Sequence, residues 1–207
     1  MAVMIDPPGY FLWDFAGVDG LQAALNLFGE KVGHLAPFQS LETSFNAHAC
    51  SVLRLAERNF RVALSRDHGL DLAIADMGLN LWVKLSNPLK ASAPIRQAAS
   101  GCERIATLVI SEQWGQTCLP RLGTTQPIHR LENLPLHCAV PARIEQKSVL
   151  VWHHSWLGHP RFDLHTAQAN AQTIAQAITV EIQSHHYPTD AGRGTTAAAT
   201  RGHHPTL

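Results

Sequence analysis

A chain of 207 residues with 45% hydrophobic and 15% charged residues can bury the core of one domain, and it carries less charge than the roughly 25% of ordinary soluble domains. Sixteen basic residues are matched by 16 acidic ones, so the formal net charge is zero and a general phosphate-seeking face is excluded. So little charge leaves much of the surface to Gln, Asn, Ser, Thr and His, which favours a homo-oligomer or a complex subunit.

Residues 1–16 read as extended: Pro7-Pro8-Gly9 forbids a helix, and Phe11, Trp13 and Phe15 alternate as on a strand laid over a core. Gly17 to Gly33 reads as the first helix. Leu21, Ala24, Leu25 and Phe28 recur at helical spacing, and Gly29 and Gly33 supply stops. Ser40 to Arg58 is expected to be a second helix with Val52, Leu55 and Ala56 inward. In it, Arg54 and Arg58 sit at helical spacing with Arg61, a candidate local basic patch.

The period then changes to two. Phe60, Val62 and Leu64 form one strand, Leu70, Leu72 and Ile74 a second, and Leu79 to Leu85 a third, with turn signals at Arg66-Asp67-His68-Gly69 and Asp76-Met77-Gly78. The expected result is an antiparallel meander. One long helix over 70–86 competes with it, because Leu70, Ile74, Met77 and Leu81 also fit a period near 3.6.

Ala93 to Gln113 is expected to be a helix on the stripe Ile95, Ala98, Ala99, Cys102, Ile105, Ala106 and Val109, with Pro94 in its first turn. Residues 114–135 read as loop because of Pro120, Gly123, Pro127 and Pro135. Leu136 to Val140 and Ser148 to His154 read as strands, Val149-Leu150-Val151-Trp152 being the strongest β signal in the chain. A last helix is expected over Thr166 to Ser184, with an Ala-rich stripe suited to close packing. From residue 188 no period survives.

The expected fold is therefore α+β: an antiparallel sheet, a meander plus later strands, covered by helices. Residues 1–187 make a single domain and 188–207 a disordered tail. No internal repeat is apparent. The start of the chain lacks a basic segment and carries Asp6, unlike a secretory signal, and no apolar run approaches the roughly 20 residues of a membrane span. A soluble cytoplasmic protein is expected, without membrane contact. Cys50, Cys102, Cys118 and Cys138 include no CxxC pair and are expected as reduced thiols.

The chemistry concentrates in one place. Four of 13 histidines fall between His153 and His165. On a strand His153 and His154 point to opposite faces, so only one can join a given site. Asp163 and His165, two apart, share a face. One strand histidine with His159, Asp163 and His165 suits a zinc or iron site, whose bound water would serve a metal-dependent hydrolase. Against it, a weakly charged surface uses histidine freely, and Gly158-His159-Pro160 reads as an ordinary turn. His185, His186, His203 and His204 add adventitious affinity at most. No GxSxG elbow, Ser-x-x-Lys, P-loop or GxGxxG occurs. Asp67, Asp71 and Asp76 read as turn residues rather than paired catalytic carboxylates. Trp82, Trp152 and Trp156 are candidate contacts for a ligand or partner, Trp82 because it falls on the polar side of its strand. The sequence thus favours a non-catalytic module that binds a partner protein or small ligand, regulatory or part of a complex, with the hydrolase as the alternative.

Overall fold

A computed structural model describes residues 3–4, 9–65, 69–86, 104–125 and 131–186. The α+β class and the antiparallel pairing hold, but the strands divide into two sheets. The first sheet contains β2 Phe11–Gly17, β3 Ser40–Phe45, β4 His48–Ala56, β5 Asn59–Leu64 and β6 Leu81–Leu85, in the order β3-β4-β5-β2-β6. The second contains β1 Val3–Met4, β7 Ile105–Ser111, β8 Gly123–Thr124, β9 Cys138–Ile144, β10 Lys147–Trp156 and β11 His159–Ala167, in the order β1-β7-β11-β10-β9-β8. The helices are α1 Gly20–Phe28, α2 Leu70–Asp76, α3 Glu112–Leu122 and α4 Ala171–His186.

Side-chain alternation along the strands builds four layers. Phe15, Val52 and Val62 pack with Ala24 and Phe28 of α1 and with Leu70 and Ile74 of α2. Leu108, Val151 and Leu164 pack with Leu119 of α3 and Ile174 and Ile178 of α4. The opposite faces of the two sheets meet each other, where Tyr10, Leu12, Leu53 and Ala63 contact Ala139, Trp152 and Trp156. The order is helices, sheet, sheet, helices. The sheets also join at one edge, where Ser40 N–H donates to His137 O (2.8 Å) and Ala139 N–H donates to Phe38 O (2.8 Å).

The chain repeats itself in topology, contrary to the sequence expectation. Each half runs strand, strand, helix, three-stranded meander, helix: β1-β2-α1-β3-β4-β5-α2, then β6-β7-α3-β9-β10-β11-α4, with the two-residue β8 as an addition. In each half the second strand pairs with the last strand of the meander, β2 with β5 and β7 with β11. The first strands are exchanged: β1 pairs with β7 and β6 with β2.

Several expected elements change type. Ser40 to Arg58 is the β3–β4 hairpin, turned by Asn46 and Ala47 at φ 47° and 65°. Those left-handed values make the tight turn whose twist matches a hairpin. Residues 70–86 divide between the two readings, a helix at Leu70–Asp76 and a strand at Leu81–Leu85. Ile105–Ser111 is a strand, not the end of a helix; Ala106, Thr107 and Leu108 are buried in succession because β7 is covered on both faces. Residues 112–122 are helical despite Pro120. The final helix starts at Ala171 because Thr166 belongs to β11, its Oγ1 donating to Ser148 O at 2.8 Å. The expected turn at Arg66-Asp67-His68, the helix over 93–103 and the tail 188–207 lie outside the described residues. None of the described helices is long and apolar enough to cross a membrane. Cys50, Cys118 and Cys138 are free thiols, and burial pushes the Cys50 thiol up to about 12.

Candidate functional site

The histidine-rich segment is a single hairpin. β10 and β11 join at Leu157–Gly158, φ 53° and 80°, and pair His154 with Arg161, Trp152 with Asp163 and Leu150 with His165. These six side chains face the first sheet; His153, Phe162 and Leu164 face the helices. The alternation that separates His153 from His154 therefore decides which of them meets Asp163.

Asp163, fully buried, lies at the centre of a polar network between the sheets. Its Oδ2 accepts from Tyr10 Oη (2.7 Å), His154 Nε2 (2.8 Å) and Arg161 Nη2 (3.0 Å), and its Oδ1 sits 3.0 Å from Arg161 Nε. Burial drives this carboxyl upward, yet His154 and Arg161 outweigh burial and hold it well below the usual carboxylate range. An ionised carboxylate only accepts, so His154 Nε2 bears a proton and donates it.

A second chain of bonds enters from the first sheet. Asp14 on β2 accepts a two-pronged pair from Arg61 on β5, Nε–Oδ1 2.7 Å and Nη2–Oδ2 2.9 Å, and a further bond from Ser86 Oγ at 2.7 Å. Arg61 Nη1 then lies 3.1 Å from His165 Nδ1. A guanidinium has no acceptor, so Nδ1 is bare and the ring's proton sits on Nε2, 3.2 Å from Tyr10 Oη. Burial first, and Arg61 second, push the His165 pKa well below its ordinary 6.5, so the ring is neutral. Burial first, and Asp163 second, raise Tyr10 well above 10, so its hydroxyl keeps its proton and donates it to Asp163. The bonds run in one direction, Arg61 to His165 to Tyr10 to Asp163.

Aromatic rings seal this network. Trp152 stacks on His154, centroids 3.9 Å apart, and donates from Nε1 to Ser40 Oγ at 2.9 Å. Tyr10 and Trp156 approach to 4.9 Å, and the Arg161 guanidinium lies 5.4 Å and 5.6 Å from their ring centroids. Two carboxylates and two guanidiniums balance in charge, which makes their shared burial tolerable.

The expected site residues divide. His154, Asp163 and His165 come together. His153 faces the helices, Nδ1 donating to Leu134 O at 2.7 Å, Nε2 3.5 Å from Glu112 Oε1 and the ring stacked on Phe162. His159 is exposed at the hairpin end. Among the described residues no three His, Cys, Asp or Glu side chains are arranged to hold a metal ion. The reason is local: positive charge beside Asp163 and His165 is already supplied by Arg161 and Arg61. Trp152 and Trp156 are buried, whereas Trp82 is 50% exposed on the edge strand β6. The candidate Arg54–Arg58–Arg61 patch does not form. Arg58 is exposed in a turn, Arg61 faces the second sheet, and Arg54 donates to Leu35 O (2.6 Å) and Glu57 O (2.7 Å). Asp71 and Asp76 are exposed on α2, and Asp67 lies outside the described residues.

Tyr10, Asp14, Arg61, Arg161 and Ser86 join the network without having been singled out for it by the sequence. The available signal was a charge interrupting an apolar strand, as Asp14 does between Trp13 and Phe15 and Arg61 between Phe60 and Val62.

No family model and no curated protein matches the sequence. Solved structures match the fold. A glycine cleavage system aminomethyltransferase T from Bartonella henselae is 13% identical with a TM-score of 0.56, the likeness covering 82% of this chain and 43% of that one. A chain of the heterotetrameric sarcosine oxidase from Corynebacterium sp. U-96, solved in complex with pyrrole 2-carboxylate, is 12% identical with a TM-score of 0.53, over 84% of this chain and 80% of that one. The two likenesses establish the fold alone. This chain spans less than half the length of the aminomethyltransferase.

Proposed function

We propose that this chain is a non-catalytic subunit of a hetero-oligomeric complex, working by binding a protein partner. One observation carries the reading: the acid–base groups closest together are closed in on one another. Asp163 and His154 are fully buried, and His165, 3% exposed where its edge borders a groove, has both ring nitrogens held, Nδ1 by Arg61 and Nε2 by Tyr10. A general acid or base must reach its substrate directly or through one water. These groups instead tie the sheets together. The low charge content adds support, as does likeness over four-fifths of its length to a chain from a heterotetrameric assembly.

The test is isolation from the native host at low salt, followed by size-exclusion chromatography with light scattering. Stoichiometric co-elution with a different polypeptide is expected. Elution as a lone chain under the same conditions overturns the proposal, and a hydrolytic activity that follows added zinc or iron then favours a metal-dependent hydrolase.

A further inference from the structure

The two sheets do not cover each other fully. The first sheet lies over Trp152, Trp156 and Ala139, near the histidine hairpin. Among the described residues, at the opposite end of β10, the inner face of the second sheet lines a groove of about 1280 Å³. Leu150 and Ile105 supply apolar surface, and Arg61 and His165 reach the groove from the buried network.

Its charge is one-sided. Arg61, Arg143 and Lys147 line it, and among the described lining residues there is no Asp or Glu. Acids and bases are equal in number over the whole chain, so this segregation belongs to the fold. Arg61 is neutralised by Asp14 and held by His165, so the groove's free positive charge comes from Arg143 and Lys147. Arg143 is exposed on the inner face, and Lys147 is exposed at the β9–β10 turn that forms the groove's rim. Thr124, Gln146, Ser148 and Asn170 add hydrogen-bonding groups of the kind an extended backbone uses.

We infer that this groove docks an extended acidic segment of a partner subunit. The inference rests on the subunit reading and names the surface and its chemistry. Size favours a peptide: small-molecule pockets hold about 300–1,000 Å³, and this groove is larger. Complementary charge steers such encounters and fixes their register.

A fluorescein-labelled eight-residue glutamate peptide with blocked ends is the probe, read by fluorescence anisotropy on the full chain. Saturable binding is expected, weakening as salt rises. The exposed pair R143E/K147E raises Kd at least about fivefold, R143A/K147A raises it less, and the surface control K31E/R58E leaves it within about twofold. Unfolding midpoints confirm that each variant is folded. Binding no tighter than that of a Gly-Ser peptide of equal length overturns the inference. So does equal weakening in the control, or full displacement by citrate at matched carboxylate concentration, which marks a small-anion site. In the native complex, a partner that remains bound to R143E/K147E removes the groove's role while leaving the subunit reading intact. A wild-type chain without any partner removes the subunit reading, whatever the peptide does.

Discussion

At the scale of single residues, the buried network sets both the stability and its pH dependence. Asp163 neutralises Arg161 and orients Tyr10 and His154. Asp163→Asn keeps the shape, removes the charge and leaves a buried guanidinium unmatched. We expect a loss of about 3–5 kcal/mol in urea unfolding. Tyr10→Phe removes one hydroxyl from the centre of the relay and should cost about 1–3 kcal/mol. The pH dependence follows from His165, whose folded pKa is pushed down by burial and by Arg61. Below about pH 6.5 the unfolded chain takes a proton that the folded ring refuses. Stability contributed by this group is therefore full above about 6.5 and falls as pH falls, by about 1.4 kcal/mol per pH unit while only the unfolded state is protonated. Asp163 acts in the same direction below about pH 4, because its carboxyl is also held down. His165→Gln should flatten the slope between pH 6 and 5 by about one proton. An unchanged slope would assign the dependence elsewhere.

At the scale of elements, period-two runs were legible where large apolar residues facing a helix layer alternate with smaller or charged ones facing the other sheet, as at Arg61, Ala63 and Asp14. Phe60-Val62-Leu64 and Phe11-Trp13-Phe15 are such runs. The candidate site was half legible: the parity that puts Asp163 and His165 on one face, and separates His153 from His154, follows from strand geometry alone. Its partners on β2 and β5 were not legible, because long-range pairing across two sheets leaves no local pattern. Ile105 to Ser111 failed for a different reason, since a strand covered on both faces is a short apolar run without a period. The β3–β4 hairpin hid because its turn, Asn46-Ala47, lacks the glycine that usually announces one. Two positions test this local physics. Leu157 has φ 53° and is 62% exposed, so Leu157→Asn should stabilise by about 0.5–1 kcal/mol, read from the denaturation midpoint. Gly115 lies under Phe162, where a Cβ would meet the ring at 2.1 Å. Gly115→Ala must push α3 off β11 and should cost about 1–3 kcal/mol.

At the scale of the molecule, the exchanged strands and the shared interior make the halves interdependent. Each half owns one carboxylate–guanidinium pair, Asp14–Arg61 in the first and Asp163–Arg161 in the second. The two pairs are linked across the halves by Tyr10–Asp163, Tyr10–His165 and Arg61–His165, and further bonds such as Trp152–Ser40 and Ser86–Asp14 also cross. Separating the halves keeps the charges matched but opens the layer of Tyr10, Leu12, Trp152 and Trp156 to water, and burying one large side chain is worth about 1.5–3 kcal/mol. The position of the cut then matters. A break between residues 78 and 79 follows the repeat and strips β6 from β2. A break within 87–103 follows the sheets, leaving the first sheet whole and taking only the two-residue β1 from the second. If the exchange is what couples the halves, fragments 1–95 and 96–207 should reassemble on mixing with native-like near-ultraviolet circular dichroism. Fragments 1–78 and 79–207 should reassemble more weakly, because β6 must be threaded back onto an edge exposed in the free fragment and prone to self-association. Equal reassembly of both pairs would show that the interior layer alone holds the molecule together and that the exchanged strands are incidental to it.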